Sequence, residues 1–121
     1  MTAKRSKGAA GSVWRAFDEL TPAFAALITE FTNSPRVTYG GRGFGGRALR
    51  VDGRIFAMLD SRGRFVVKVP RARADEMLAR GQAVNFEPVP GRPMKEWLVV
   101  TGSTPSWLTL AREAYQYVAN L

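Results

Sequence analysis

Leu49-Arg50-Val51-Asp52-Gly53-Arg54-Ile55-Phe56-Ala57-Met58-Leu59, continued by Asp60-Ser61-Arg62-Gly63-Arg64-Phe65-Val66-Val67-Lys68-Val69-Pro70, is the stretch on which the fold turns. Asp-Gly between two apolar runs signals a two-residue hairpin, because both central residues of a type I′ turn need positive φ. Asp60-Ser61-Arg62-Gly63 reads as a second, four-residue turn. Three antiparallel strands follow, over about 47–51, 54–59 and 64–69. Residues paired across a hairpin share one face of the sheet, and successive residues alternate between faces. Pairing Val51 with Arg54 and Leu59 with Arg64 places Leu49, Val51, Phe56, Met58, Phe65, Val67 and Val69 on one apolar face. The other face collects Ala48, Arg50, Ile55, Ala57, Leu59, Arg64, Val66 and Lys68, a mixture of small, aliphatic and basic groups that helices or a partner would cover.

Upstream of this meander, Val13, Phe17, Leu20, Phe24, Leu27 and Phe31 recur at spacings of three and four, as one buried helical stripe does. Pro22 interrupts the run. With Thr21 as N-cap and Pro22 at the first helical position, the main helix is expected over 21–33, stopped by Asn33-Ser34-Pro35. Residues 12–20 are expected as a short helix or turn, and residues 1–11 as a flexible basic tail. Downstream, Ala72 to Arg80 reads as a short helix closed by Gly81. Phe86 to Val89 reads as an edge segment, Pro90-Gly91-Arg92-Pro93 as a turn, and Trp97 to Thr101 as an apolar strand. Ser103 or Thr104 is expected to cap a last helix from near Pro105, with Trp107, Leu110, Ala111, Ala114, Tyr115 and Val118 on its inner side. The fold class is therefore α+β: an antiparallel meander packed in two layers against N-terminal and C-terminal helices, with residues 12–121 forming one domain.

Among the 121 residues there is neither cysteine nor histidine. Disulfides, thiolate nucleophiles and the common zinc sites fall away together, as does the side chain most used for proton transfer near neutral pH. The literal G-x-G-x-x-G of Gly41-Arg42-Gly43-Phe44-Gly45-Gly46 leads into a strand, whereas the dinucleotide fingerprint requires a helix N-terminus there. Asp52 and Asp60 occupy turns and form no catalytic pair. Lys68 and Lys95, the lysines outside the tail, stand in no Ser-x-x-Lys arrangement. The reading is a non-enzymatic domain without cofactor or metal. With no signal-peptide pattern and no apolar run near the ~20 residues of a membrane span, a cytoplasmic location is expected.

A net charge of +8 and a pI near 10.8 imply attraction to polyanions. Lys4, Arg5 and Lys7 carry part of it. Arg42, Arg47, Arg50, Arg62, Arg64, Lys68, Arg71 and Arg73, with Arg54 among them, fall within one third of the chain and form the candidate nucleic-acid-binding set, acting through phosphate contacts. Strand alternation puts Arg50, Arg64 and Lys68 on one face. Trp97, Trp107, Phe44 and Tyr39 are candidate stacking platforms, of which Phe44 and Tyr39 are expected to be exposed. DNA or a DNA-bound protein is the partner expected, without membrane attachment. The alternative is a protein-interaction or homodimerisation module using the aliphatic part of the same face or an exposed edge strand, with an apolar small-molecule pocket between helix and sheet as a third.

Tyr39-Gly40-Gly41-Arg42-Gly43-Phe44, the Leu49–Leu59 hairpin and Phe65-Val66-Val67-Lys68-Val69-Pro70 together resemble the N-terminal domain of TfoX/Sxy-type proteins over about residues 20–100. The Trp97 strand and the closing helix with Glu113-Ala114-Tyr115 are similar to the related MmcQ/YjbR proteins, often described as DNA-binding. The resemblance implies an antiparallel sheet packed on helices and a role in regulating competence and transcription. The methionine expected before the paired glycines is missing here, as is the second, helical domain of full-length TfoX proteins, and the resemblance assigns no catalytic or binding residues.

Overall fold

A computed structural model describes residues 22–40, 47–102 and 105–121. The elements run α1 (Pro22–Phe31), β1 (Val37–Tyr39), β2 (Ala48–Val51), β3 (Arg54–Leu59), β4 (Phe65–Lys68), α2 (Arg71–Ala79), β5 (Ala83–Val89), β6 (Arg92–Val100) and α3 (Trp107–Ala119). The six strands form one antiparallel sheet in the order β1-β2-β3-β4-β6-β5. This is the expected α+β architecture in two layers. The expectations for residues 1–11 and 12–20, for Thr21 as a cap, and for Ser103 and Thr104 lie outside the described residues.

The three helices among the described residues press on the same face of the sheet. Phe24, Leu27 and Phe31 of α1, Ala74 and Met77 of α2, and Leu110, Ala111, Ala114 and Val118 of α3 join Leu49, Val51, Phe56, Leu59, Phe65 and Val67 in one core. Aromatic rings lock the layers in edge-on contacts: Phe31 meets Phe56 at 5.3 Å, and Phe56 meets Tyr115 at 5.5 Å, between ring centres. Phe65 stacks on Trp107 at 4.4 Å. Ser106 caps α3, its side chain accepting from the Thr109 amide at 3.2 Å, two residues beyond the nearer of the expected caps.

The two tight reversals differ in how they match the sequence reading. Asp52 (φ 53°) and Gly53 (φ 84°) form the expected two-residue turn closed by Val51 and Arg54. Arg36 grips the Asp52 carboxylate with two N–H groups, Nε at 3.1 Å from Oδ1. The second turn is one residue tighter than expected. Asp60 donates its N–H to the Arg64 carbonyl at 3.0 Å and accepts from the Gly63 amide at 2.9 Å, so Ser61-Arg62-Gly63 is a three-residue loop. Gly63, at φ 78°, supplies the left-handed residue that such a loop needs. Leu59 therefore pairs with Phe65 and not with Arg64.

A second departure lies in β3. The register against β2 shifts between Leu49 and Arg50: Arg50 faces Ile55, while Leu49 faces Ala57. Phe56 is the extra residue of a β-bulge, which lets Phe56 and Ala57 both turn toward the helices. Beyond it the alternation is reversed, so Ala57 and Leu59 belong to the main core and Met58 to the other face, against the expectation for all three. The strand β1, absent from the sequence reading, pairs Val37 with Val51 and Tyr39 with Leu49 at one sheet edge.

The outer half of the β5–β6 hairpin does not continue flat. Its register slips at Asn85/Phe86 and again before Val89, and a two-residue turn at Pro90-Gly91 (Gly91 φ 81°) closes it. Phe86 is thereby carried onto a small second cluster with Ala48, Met58, Val66 and Val99, flanked by Ile55 and Trp97. That cluster is the middle of the other face, helix-free among the described residues.

Candidate nucleic-acid interface

Strand alternation places Arg50 of β2, Arg64 just before β4 and Lys68 of β4 on the same side as Ala48, Met58 and Val66, the side on which none of the described helices lies. Two recesses open beside Arg64 and Lys68. The larger, about 580 Å³, lies between the folded-over hairpin arm and the β3–β4 turn, with Arg47, Arg62, Arg64, Asp60, Asn85 and Phe86 in its lining. A shallower one of about 420 Å³ lies beside Lys68, Arg71, Lys95 and Trp97. Five of the eight candidate residues thus border two hollows of one face: Arg47, Arg62 and Arg64 the first, Lys68 and Arg71 the second.

The remaining three fare differently. Arg50 lies on the same face with its guanidinium donating to the Gly40 carbonyl, tying β2 to the end of β1. Arg73 does not belong to the face. Its Nε donates to Glu113 of α3 at 2.8 Å and its Nη1 to Glu76 at 2.7 Å, so it clamps α2 to α3 on the helical side. Those bonds raise its own pKa, with Glu113 the chief cause, and hold Glu76 below the usual carboxylate range. Arg42 and Phe44 lie outside the described residues. Arg54, too, turns to the helical side, where its Nη1 meets the carbonyl of Leu121 at 3.3 Å.

Two acids line the larger recess, Glu87, whose carboxylate accepts from the Gly91 amide at 3.1 Å, and Asp60, which is built into the turn. Its side chain is only 9% exposed, and its carboxylate accepts from the Arg62 amide (2.9 Å), the Arg64 amide (2.9 Å) and Arg64 Nε (2.7 Å). Burial alone would raise its pKa. The N–H groups of Arg64 and Arg62 and the adjacent guanidinium outweigh that, and the group titrates below the ordinary carboxylate range. The turn is thus held by a negative charge that also orients Arg64 along the rim.

Of the aromatic candidates, Tyr39 is packed against the main core, 6.2 Å from Phe24, and Trp107 is stacked on Phe65; the expected exposure of Tyr39 does not hold. Trp97 stands instead on the helix-free face. It pairs with Lys68 across β4 and β6, is half-buried against the second cluster, and has the Lys68 ammonium 5.7 Å from its ring centre. Asn85 and Phe86 were not among the expected site residues. The signal that marks them is the pair of prolines, Pro88 and Pro90, which disrupts the ladder next to them.

Gly40 (φ 109°) ends β1 in a conformation that suits glycine, and the element after the glycine-rich run is the strand β2. Among the described residues no helix is long and apolar enough to cross a membrane, and no three acidic side chains gather as a metal cage. No protein-family model matches the chain, and no curated protein or solved structure is similar enough to be matched to it.

Proposed function

We propose that the chain is a non-enzymatic regulatory domain whose helix-free face contacts the phosphates of DNA or of a nucleoprotein. The observation that carries this reading is the gathering of Arg47, Arg62, Arg64, Lys68 and Arg71 around two recesses of one face in a chain of net charge +8. Arginine suits the role because its planar fork matches phosphate oxygens. The likeness of the Leu49–Leu59 hairpin to TfoX-type N-terminal domains points the same way, toward transcriptional regulation in the cytoplasm. A chain without histidine or cysteine is poorly equipped for acid–base or nucleophilic chemistry, which favours binding over catalysis.

The test is a filter-binding titration of duplex and of single-stranded DNA across salt concentrations. Five cations on duplex phosphates predict a slope of log K against log[salt] of about −4.5, a loss of about 500-fold between ~50 and ~200 mM. No affinity for either form at ~50 mM salt, or affinity indifferent to salt, rules the reading out.

A second reading, homodimerisation, is favoured by β5. It is an edge strand of seven residues with Val84 47% and Val89 55% exposed, an arrangement open to strand pairing. Pro88 and the twist at its bulges oppose that pairing. Light scattering decides, since a mass of one chain at all concentrations excludes the dimer.

A further inference from the structure

Trp97 is the residue of the helix-free face that phosphate binding does not use. Its ring is half-buried against the second hydrophobic cluster, and its remaining surface opens on a shallow recess among Lys68, Arg71 and Lys95. Glu96 borders the same recess, but its carboxylate accepts from the Tyr117 hydroxyl on α3 at 2.8 Å and is thereby drawn toward the helical side. The Lys68 ammonium lies 5.7 Å from the ring centre, close to the outer limit of a cation–π contact, where such a contact changes an equilibrium by only about two- to fivefold. A base stacked on an aromatic side chain contributes about five- to 150-fold, so a base displaces the ammonium and frees it for a phosphate.

The shape of the face favours one class of nucleic acid. The three helices lie on the opposite side of the sheet, so no helix among the described residues is offered there to a major groove. The folded-over hairpin arm, with Phe86 against Met58 and Val66, divides the surface into two hollows where a rigid duplex would need a continuous track. A flexible strand with unpaired bases can enter both. Arg64 and Lys68 are four residues apart along β4, about 13 Å, the span of roughly four nucleotides at stacked spacing.

We infer that this face takes single-stranded nucleic acid, with one base stacked on Trp97 and the neighbouring phosphates drawn to Lys68, Arg71 and Arg64. The inference rests on the basic-face reading above and names its ligand class.

The experiment measures fluorescence anisotropy at ~50 mM salt with three labelled probes of ~10 nucleotides or base pairs: oligothymidylate, an abasic strand with the same number of phosphates, and a duplex. The protein with Trp97 intact should bind oligothymidylate about five- to 150-fold more tightly than the abasic strand. Trp97→Leu should bring oligothymidylate down to the abasic level, with abasic affinity held within about twofold. Trp97→Phe, which keeps a ring, should retain part of the difference. Equal affinity for oligothymidylate and abasic strand, or tightest binding of the duplex, overturns the single-strand inference and leaves the basic-face reading standing. Absence of binding by all three probes overturns both. The probe comparison needs no substitution, so it decides the matter even if Trp97→Leu fails to fold.

Discussion

Replacing Asp60 by alanine removes three hydrogen bonds at once, those from the Arg62 amide, the Arg64 amide and Arg64 Nε. Hydrogen bonds to a charged group stabilise by about 1.5–3 kcal/mol, but Arg64 is 40% exposed and its ion-pair share shrinks to below about 1 kcal/mol in water. The net cost of Asp60→Ala is then about 2–3 kcal/mol, or roughly 8–12 °C in melting temperature for a domain of this size. Asp60→Asn keeps Oδ1 for the two backbone amides and loses the charge together with the Oδ2 acceptor of Arg64 Nε, at a cost of about 1 kcal/mol. Urea unfolding followed by tryptophan fluorescence measures both. Asp60 has a lower pKa folded than unfolded, so its contribution is complete above the ordinary carboxylate range and disappears as pH falls through the depressed folded value. The stability gap between the native protein and Asp60→Asn is therefore constant above about pH 5 and closes toward strong acid. The same substitution removes a negative charge from the larger recess. A charge about 7 Å from a phosphate contributes about 0.6 kcal/mol in water, so affinity for a polyanion should rise about two- to threefold at low salt while stability falls. An alanine variant that loses less than about 0.5 kcal/mol, or an asparagine variant as unstable as the alanine one, refutes the assigned role of the carboxylate.

Arg73→Ala should lower stability by about 0.5–1 kcal/mol, with a double-mutant cycle against Glu113→Ala showing the coupling, and should leave nucleic-acid affinity unchanged. Arg62→Ala should do the reverse, reducing the salt slope by about 1 with little effect on unfolding. Phe65→Ala, which removes the ring stacked on Trp107 from the main core, should cost about 3–5 kcal/mol and collapse the near-ultraviolet circular dichroism. Gly63→Ala, placed at φ 78°, should cost about 1 kcal/mol in the same unfolding assay.

The hairpin run made most of the fold legible because Asp52-Gly53 permits one turn and pins the register beside it. Two local features were hidden. The Phe56 bulge inserts a residue that no alternation pattern announces, and the Asp60 turn closes with three residues where four were read. Each shifts the pattern by one, in opposite senses. They cancel, so Phe65, Val67 and Val69 share the core with Leu49 and Val51 as expected, while Ala57, Met58 and Leu59, between the two features, change sides. The same cancellation kept Arg50, Arg64 and Lys68 together.

Much of the remaining site depended on long-range geometry. Arg73 looked like its neighbours Arg71 and Lys68 in sequence, but about half a helical turn beyond Arg71 it meets Glu113, 40 residues away. The hairpin arm that brings Asn85 and Phe86 beside Arg62 and Arg64 is bent by register slips whose effect cannot be read from spacing. Trp97 was a stacking candidate not expected to be exposed, because it lies in an apolar strand, and half of it is indeed buried. Its other half opens on the recess beside Lys68 and Arg71, on the side away from the described helices.

The most direct test of the central claim is amide chemical-shift mapping during titration with a short single-stranded oligonucleotide. The account predicts that the largest changes fall at Arg62, Arg64, Lys68, Arg71 and Trp97 and in the 85–90 arm, with α1 and α3 little affected. Changes concentrated on α1 and α3, with the β3–β4 turn and Trp97 unmoved, would contradict it.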